Sequence, residues 1–332
     1  MLLGALIGIV LTVGGYYFSR MVLSYLAAHP ALSPISSMLE RPLDKYTILR
    51  LSGRRFGGSE IILDEVTATT SAYTVYRFHY ISDGSKVTGV AHIPNNASIT
   101  NKKPVIIQFR GFIDPSQYFP GDGTQHSAEV YAQNGFISLA PDFLGFGGSD
   151  KPSKDVFEER FQTYTTGLNL IASVGTLPMA DASKIGIWGH SNGGHIALTV
   201  AEILNKPWPM VLWAPVSSSF PYSILYYSDE EDDHGKLLRK ELATFENSYD
   251  VERYSVPNYL NRIIGPVQVH QGLADDAVPV GWSDALVATL KRNGTSVSYF
   301  TYPGVNHDMN PAVTGWNIVV SRDVTFFKKY LE

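Results

Sequence analysis

Cysteine is absent from this chain of 332 residues. Its absence excludes a disulfide scaffold, a thiol nucleophile, a zinc–thiolate site and an iron–sulfur cluster. It leaves the compartment open, because a cysteine-free chain suits either side of a membrane. Basic runs are missing too: nothing exceeds pairs such as Arg54 and Arg55, the formal charge is −5, and charged residues make up 17%. This balance argues against nucleic acid as a partner. No internal repeat and no low-complexity tract interrupts the chain.

Charge is also absent from Leu2 to Phe18, a nearly unbroken apolar run. Seventeen residues lies at the short limit for crossing a bilayer, where about 20 are usual, and the run extends toward Leu26 if Arg20 snorkels to an interface. A cleaved signal peptide is the rival reading. No Lys or Arg precedes the run and no clean small-x-small site follows it, so an uncleaved anchor over residues 1–28 is expected, with secretion the outcome if the segment is removed. Its orientation is not specified, since Arg20 is the only close flanking charge. Residues 29–58 carry Pro30, Pro34 and Pro42 with little periodicity and read as a linker.

From 59 onward a single domain is expected. Tyr76, Phe78 and Tyr80 alternate with Val75, Arg77 and His79. Asp83-Gly84 then supplies a turn, and Lys86 to Ile93 returns as a second strand, which predicts an antiparallel hairpin. Thereafter short apolar runs (105–109, 136–140, 185–188, 210–214, 266–270 and 297–302) alternate with helical segments. Strands apolar throughout and separated by helices predict a doubly wound, mostly parallel α/β sheet, here with an antiparallel entry hairpin. One connection, 217–262, is too long for a crossover and is expected to form a cap over the carboxyl ends of the strands.

The chemistry centres on Gly189-His-Ser-Asn-Gly193. An apolar strand ends at Gly189 and a helical pattern starts just after Gly194, so only a very tight turn fits, with Ser191 at its tip. A side chain at either glycine would collide with the neighbouring strand or helix, which gives the Gly-x-Ser-x-Gly spacing a steric cause. The helix N-terminus favours developing negative charge beside the serine, and the N–H of Asn192 is the expected oxyanion donor. A serine hydroxyl needs a base, and the base a carboxylate to hold its tautomer. Later strand ends supply both: Asp275 and Asp276 follow the run 266–270, and His307 follows 297–302. The order serine, acid, histidine is that of the nucleophile-elbow fold.

Within this frame the stretch from about Tyr73 onward resembles the α/β-hydrolase fold and, inside it, the catalytic domain of the prolyl oligopeptidase family. The segments that carry the resemblance are Gly189–Gly194, Ala274–Pro279, Tyr302–His307 and Pro141–Ser149. It implies Asp275, rather than Asp276, as the triad acid. It further implies an oxyanion donor in the loop after 105–109, where Arg110-Gly111-Phe112 is similar to the His-Gly-x segment of many such hydrolases, so Phe112 N–H is the candidate. Where the family pattern has a tyrosine hydroxyl, this chain has Phe109. The family's large peptidases also carry a β-propeller, whereas fewer than about 75 residues precede the first clear strand here, too few for two blades.

Other residues read as structural. Asp142 and Asp150 lie in a glycine-rich loop that lacks the lysine of a phosphate cradle. His190 and His195 flank the elbow and are expected to pack. Glu158-Glu159 reads as a solvated helix face. The acidic run Asp229 to Asp233 with His234 lacks the ligand spacing of a calcium loop, so neither a metal nor an organic cofactor is expected. Tyr222, Tyr226 and Tyr227 fit either an acyl pocket or cap core. Taken together, the sequence predicts a membrane-anchored serine hydrolase acting on short peptides or carboxylic esters through Ser191, His307 and Asp275. A peptidase leads, a carboxylesterase is the alternative, and a non-catalytic binding protein of the same fold is the rival from another class. Ser191 excludes the dehalogenase and epoxide hydrolase route, which needs an aspartate at the elbow.

Overall fold

The computed structural model describes residues 41–230, 233–311 and 313–332. The apolar run proposed as an anchor lies outside the described residues, and among those described no helix is long and apolar enough to cross a membrane.

Among the described residues nine strands form one sheet in the order β1-β2-β3-β5-β4-β6-β7-β8-β9. The first three, β1 (Ile62–Thr69), β2 (Tyr73–Ser82) and β3 (Ser85–Pro94), are antiparallel to their neighbours. The remaining six, β4 (Lys103–Phe109), β5 (Ile137–Pro141), β6 (Ala180–His190), β7 (Met210–Trp213), β8 (Val267–Gly272) and β9 (Val297–Tyr302), run parallel. This is the α/β-hydrolase architecture, with the hairpin turning at Asp83-Gly84, both at positive φ.

The inner parallel strands are covered on both faces, while β9 at the edge is only partly buried, and alternation divides the inner side chains between two cores. Ile107, Ile187 and Leu212 face one core, with α3 (Val156–Ser173), α4 (Asn192–Leu204) and α7 (Val280–Arg292). Ile106, Trp188 and Trp213 face the other, with α2 (Gln125–Gln133) and α8 (Trp316–Leu331). Two further helices, α1 (Ile48–Gly53) and the short α5 (Tyr222–Leu225), precede α6 (Lys236–Glu246) within this set.

Within the 29–58 stretch read as a linker, Leu43, Tyr46, Ile48 and Leu51 are buried in the first core. The hydroxyl of Tyr254 donates to Leu43 O at 3.1 Å, and Lys45 pairs with Glu158 at 2.9 Å. Residues 43–51 therefore pack as part of the domain. Glu158 also accepts from the hydroxyl of Tyr46, which makes it a clasp on this segment where a solvated face was expected. The insertion 217–262 is fastened by rings: Phe220, Phe245 and Tyr254 pack on Phe157 and Phe161 of α3, with centroids from 4.7 to 6.2 Å apart. Offset and edge-on rings at this spacing add to the apolar burial. In its acidic run, Asp229 pairs with Arg239, and Asp233 accepts from the backbone N–H groups of Gly235 and Leu237 where α6 begins.

Candidate active site

The turn from β6 to α4 is as tight as its glycines require. Ser191 has φ 56° and ψ −120°, a left-handed conformation that a non-glycine residue adopts only when its surroundings impose it. Its N–H donates to Trp213 O at 2.9 Å, and its carbonyl accepts from Gly194 N and from Val216 N at 3.0 Å. A Cβ on Gly193 would run into the Phe109 carbonyl, one on Gly189 into the Gly193 carbonyl, and one on Gly194 would approach Pro215 Cβ to 2.6 Å. The backbone is pinned on every side, and Ser191 stands at its apex.

Asp275 and His307 come together from the loops after β8 and β9. Those loops are laced by Leu273 N to Tyr302 O at 3.0 Å and Ala274 N to Val305 O at 2.9 Å. His307 Nδ1 lies 3.1 and 3.0 Å from the two carboxylate oxygens of Asp275. Asp275 Oδ1 also accepts from Ala277 N and Val278 N, and Oδ2 from Gln271 Nε2 at 2.8 Å. Burial pushes the Asp275 carboxyl up, but the hydrogen bonds from His307, Val278 and Gln271 outweigh it and hold the group below its ordinary value. Asp275 is thus ionised near neutral pH. A carboxylate can only accept, so Nδ1 of His307 carries the proton and Nε2 is left as the basic nitrogen. Asp276 is exposed and takes no part in this contact.

His190, which precedes Ser191, joins the turn to this pair. Its ring lies 4.7 Å from that of His307, and Nε2 donates to His307 O at 3.1 Å. Burial first, and the neighbouring His307 second, lower its pKa to about 4, so it stays neutral. His195 is wholly enclosed: Nδ1 donates to Val216 O at 3.2 Å, Nε2 accepts from Tyr164 at 2.9 Å, and burial lowers its pKa to about 3. Both ring nitrogens of His195 are thus engaged, which leaves it no part as a base.

The loop after β4 closes the site from the other side. A Cβ on Gly111 would stand 3.2 Å from Ser191 Cβ, so this peptide lies against the serine. The N–H groups of Phe112 and Asn192 donate to no acceptor among the described residues. Phe109, where the family pattern has a tyrosine, is fully buried against Phe143 and takes no part in the site. Asp142, also buried, accepts from Thr88 at 2.5 Å, Tyr118 at 2.6 Å and Arg77 at 3.1 Å, a structural role. Asp150 accepts from Lys86 N. On the cap side, Tyr222 and Tyr226 remain 50% and 41% exposed while their rings meet Trp282 at 6.0 and 5.1 Å. Trp282 O accepts from Ser217, the neighbour of Val216, so the aromatic group stands beside the serine turn.

Sequence reasoning did not single out Gln271. It is buried, donates to Asp275, and has its amide orientation fixed by Ser283 donating to Oε1 at 2.6 Å. A polar residue closing an apolar strand was the available signal.

A family model described as the prolyl oligopeptidase family (Peptidase_S9) matches residues 123–332. A probable dipeptidyl peptidase 4 of Aspergillus flavus is 31% identical over 121 residues, which span 36% of this chain and 15% of that protein. Among solved structures, an acetyl xylan esterase from Paenibacillus sp. R4 superposes with a TM-score of 0.62 at 18% identity, covering 86% of this chain and 92% of that one. Dipeptidyl peptidase 4 of Porphyromonas gingivalis superposes at 0.55 with 19% identity, covering 85% and 37%. At such identities the superpositions speak for the fold alone. The family match takes in the turn of Ser191 and both later strand-end loops, and on it the chain belongs to the prolyl oligopeptidase family of serine hydrolases.

Proposed function

We propose that the protein hydrolyses an acyl bond in a short peptide or carboxylic ester, with Ser191 as nucleophile, His307 as base and Asp275 as its orienting acid. The observation that carries this reading is the Asp275–His307 contact at 3.0 Å beside a serine held at positive φ. Nε2 of His307 takes the Ser191 proton as Oγ attacks the acyl carbon. The oxyanion accepts hydrogen bonds from Asn192 N–H and Phe112 N–H, and His307 then passes its proton to the leaving amine or alcohol. Water, activated by the same nitrogen, releases the acyl group. The half-exposed rings of Tyr222 and Tyr226 form one wall for the acyl group.

Family membership favours a peptidase. The buried Phe109, in place of a hydroxyl donor, favours a carboxylesterase as the second reading. Rates on aminoacyl-arylamides and on short acyl esters, measured beside Ser191→Ala, separate the two. Arylamide turnover no higher than that of Ser191→Ala ends the peptidase version, and unchanged ester turnover in that variant ends the serine mechanism. Residues 1–28 are proposed as a membrane anchor. Recovery of the full-length protein in a carbonate-washed membrane fraction is the expected result, and recovery in the supernatant would exclude it.

A further inference from the structure

Arg110 is 6% exposed, and among the described residues no carboxylate stands within ion-pair distance of it, the charges of Asp142 and Asp122 reaching it only from farther off. Burying a guanidinium with no carboxylate in contact is costly unless hydrogen bonds and ring faces replace its water. Both are present. Its carbon lies 4.5 Å from the Tyr118 ring centroid and 4.2 Å from that of Phe146, two rings that meet edge to face with centroids 5.2 Å apart. NH1 donates to Gly111 O at 3.0 Å and NH2 to Asp142 O at 3.3 Å. Tyr118 is itself tied to the Asp142 carboxylate.

The bond to Gly111 O has a geometric consequence. The 111–112 peptide is trans, since the cis bonds among the described residues lie elsewhere. In a planar trans peptide the N–H points opposite to the C=O, so drawing Gly111 O toward Arg110 turns the Phe112 N–H away from it. That N–H has no acceptor among the described residues, and the peptide lies against Ser191. We propose that Arg110 is a positioning residue that fixes the Gly111–Phe112 peptide and thereby aims the Phe112 N–H at the oxyanion. This rests on the serine-hydrolase reading above. It accounts for an arginine at this point, because two carbonyls are met by one planar fork that a lysine ammonium lacks.

The test is Arg110→Met, which keeps a flexible apolar chain against the two rings and removes the donors. Ester hydrolysis and affinity for a boronic acid, which forms a tetrahedral adduct with the serine, are both measured per fluorophosphonate-titrated site. The expected result is a fall in kcat of about 10- to 100-fold, short of the roughly 10²–10³ that deleting an oxyanion donor costs. Boronate affinity should fall in parallel, KM should change less than about threefold, and the midpoint of the pH–rate profile should stay in place. Arg110→Lys should not restore the rate. Adding Arg110→Met to Phe112→Pro, which deletes the N–H itself, should cost nothing further. An unchanged kcat per titrated site, or fully additive losses in the double variant, overturns the proposal while leaving Ser191-dependent turnover intact. If Ser191→Ala keeps wild-type turnover, the hydrolase reading falls and this one falls with it. Should Arg110→Met fail to fold, Arg110→Lys, which keeps the charge and loses the fork, takes its place, and a kcat equal to wild type there overturns the proposal equally.

Discussion

Glu202 lies on α4, the helix whose N-terminus faces the serine, and it is fully buried. Neither carboxylate oxygen has a hydrogen-bond partner among the described residues. The nearby Arg262 spends its Nε–H on the backbone carbonyl of Glu202, at 2.7 Å. Burial raises the carboxyl well above its ordinary value of 4.5, and the Arg262 charge only partly opposes this. The folded protein therefore holds Glu202 protonated, while the unfolded chain ionises it above about pH 4.5. Glu202 costs nothing through ionisation below that pH. As pH rises toward the raised folded value, each unit costs about 1.4 kcal/mol of stability. Glu202→Gln removes this titration while keeping the shape. Its stability relative to wild type should grow from pH 5 upward by about 1.4 kcal/mol per pH unit, or roughly 3–6 °C in Tm at about 2–4 °C per kcal/mol. The gain should level off at the folded pKa of Glu202. Thermal melts of the two proteins at half-unit steps from pH 5 to 8.5 measure it. A difference that is constant across that range would show that Glu202 is ionised in the fold, and the reasoning from burial would be wrong.

Three other outcomes are expected. Asp275→Asn should lower kcat by about 10³- to 10⁴-fold, because an amide no longer selects the Nδ1–H tautomer of His307, whereas Asp276→Asn should stay within about threefold; equal effects in steady-state kinetics would exchange the two roles. Gly111→Ala puts a methyl 3.2 Å from Ser191 Cβ and should lower kcat about 10- to 100-fold through a displaced nucleophile with little change in Tm, so unaltered kinetics would remove Gly111 from the site wall. His195, lowered to about 3, is neutral in the fold but protonated in the unfolded chain below about 6.5. Its contribution is therefore present above pH 6.5 and is lost as pH falls toward 3. In urea titrations between pH 6 and 4, His195→Gln should flatten the stability slope by about 1.4 kcal/mol per unit, and an unchanged slope would mean that the ring is charged in the fold.

The central sheet was legible because its inner parallel strands are buried on both faces and so are largely apolar, and all six parallel strands, the partly exposed edge strand β9 included, fall on the six apolar runs. Strand β1 was not legible. It lies at the sheet edge with nearly every residue exposed and two irregularities in its register, so Ile62 to Thr69 shows no alternation that a buried face would impose. Leu43 to Leu51 failed for a different reason. Its apolar residues follow prolines and are too few to show a period, and they are buried because α3, α4 and the cap converge on them. Long-range convergence of that kind leaves no local pattern.

In the site, the sequence specified what chemistry and sterics impose locally: the glycines about Ser191 and the order of serine, acid and histidine. It could not separate Asp275 from Asp276 without the family resemblance, because adjacent loop residues differ only in which way the backbone turns them. That turn is decided by Ala277 N, Val278 N and Gln271 Nε2, all of which reach Asp275. The same limit hid Arg110. A cation closing an apolar strand is a visible oddity, but its meaning depends on Tyr118 and Phe146 arriving from two different loops to lie against it and on one carbonyl lying within its reach. A candidate site is therefore legible from sequence where a residue type is itself the requirement, as a serine or a histidine is for the chemistry proposed here. Where the requirement is the direction of a peptide plane, many residue types can meet it, and only the assembled loops show which one does.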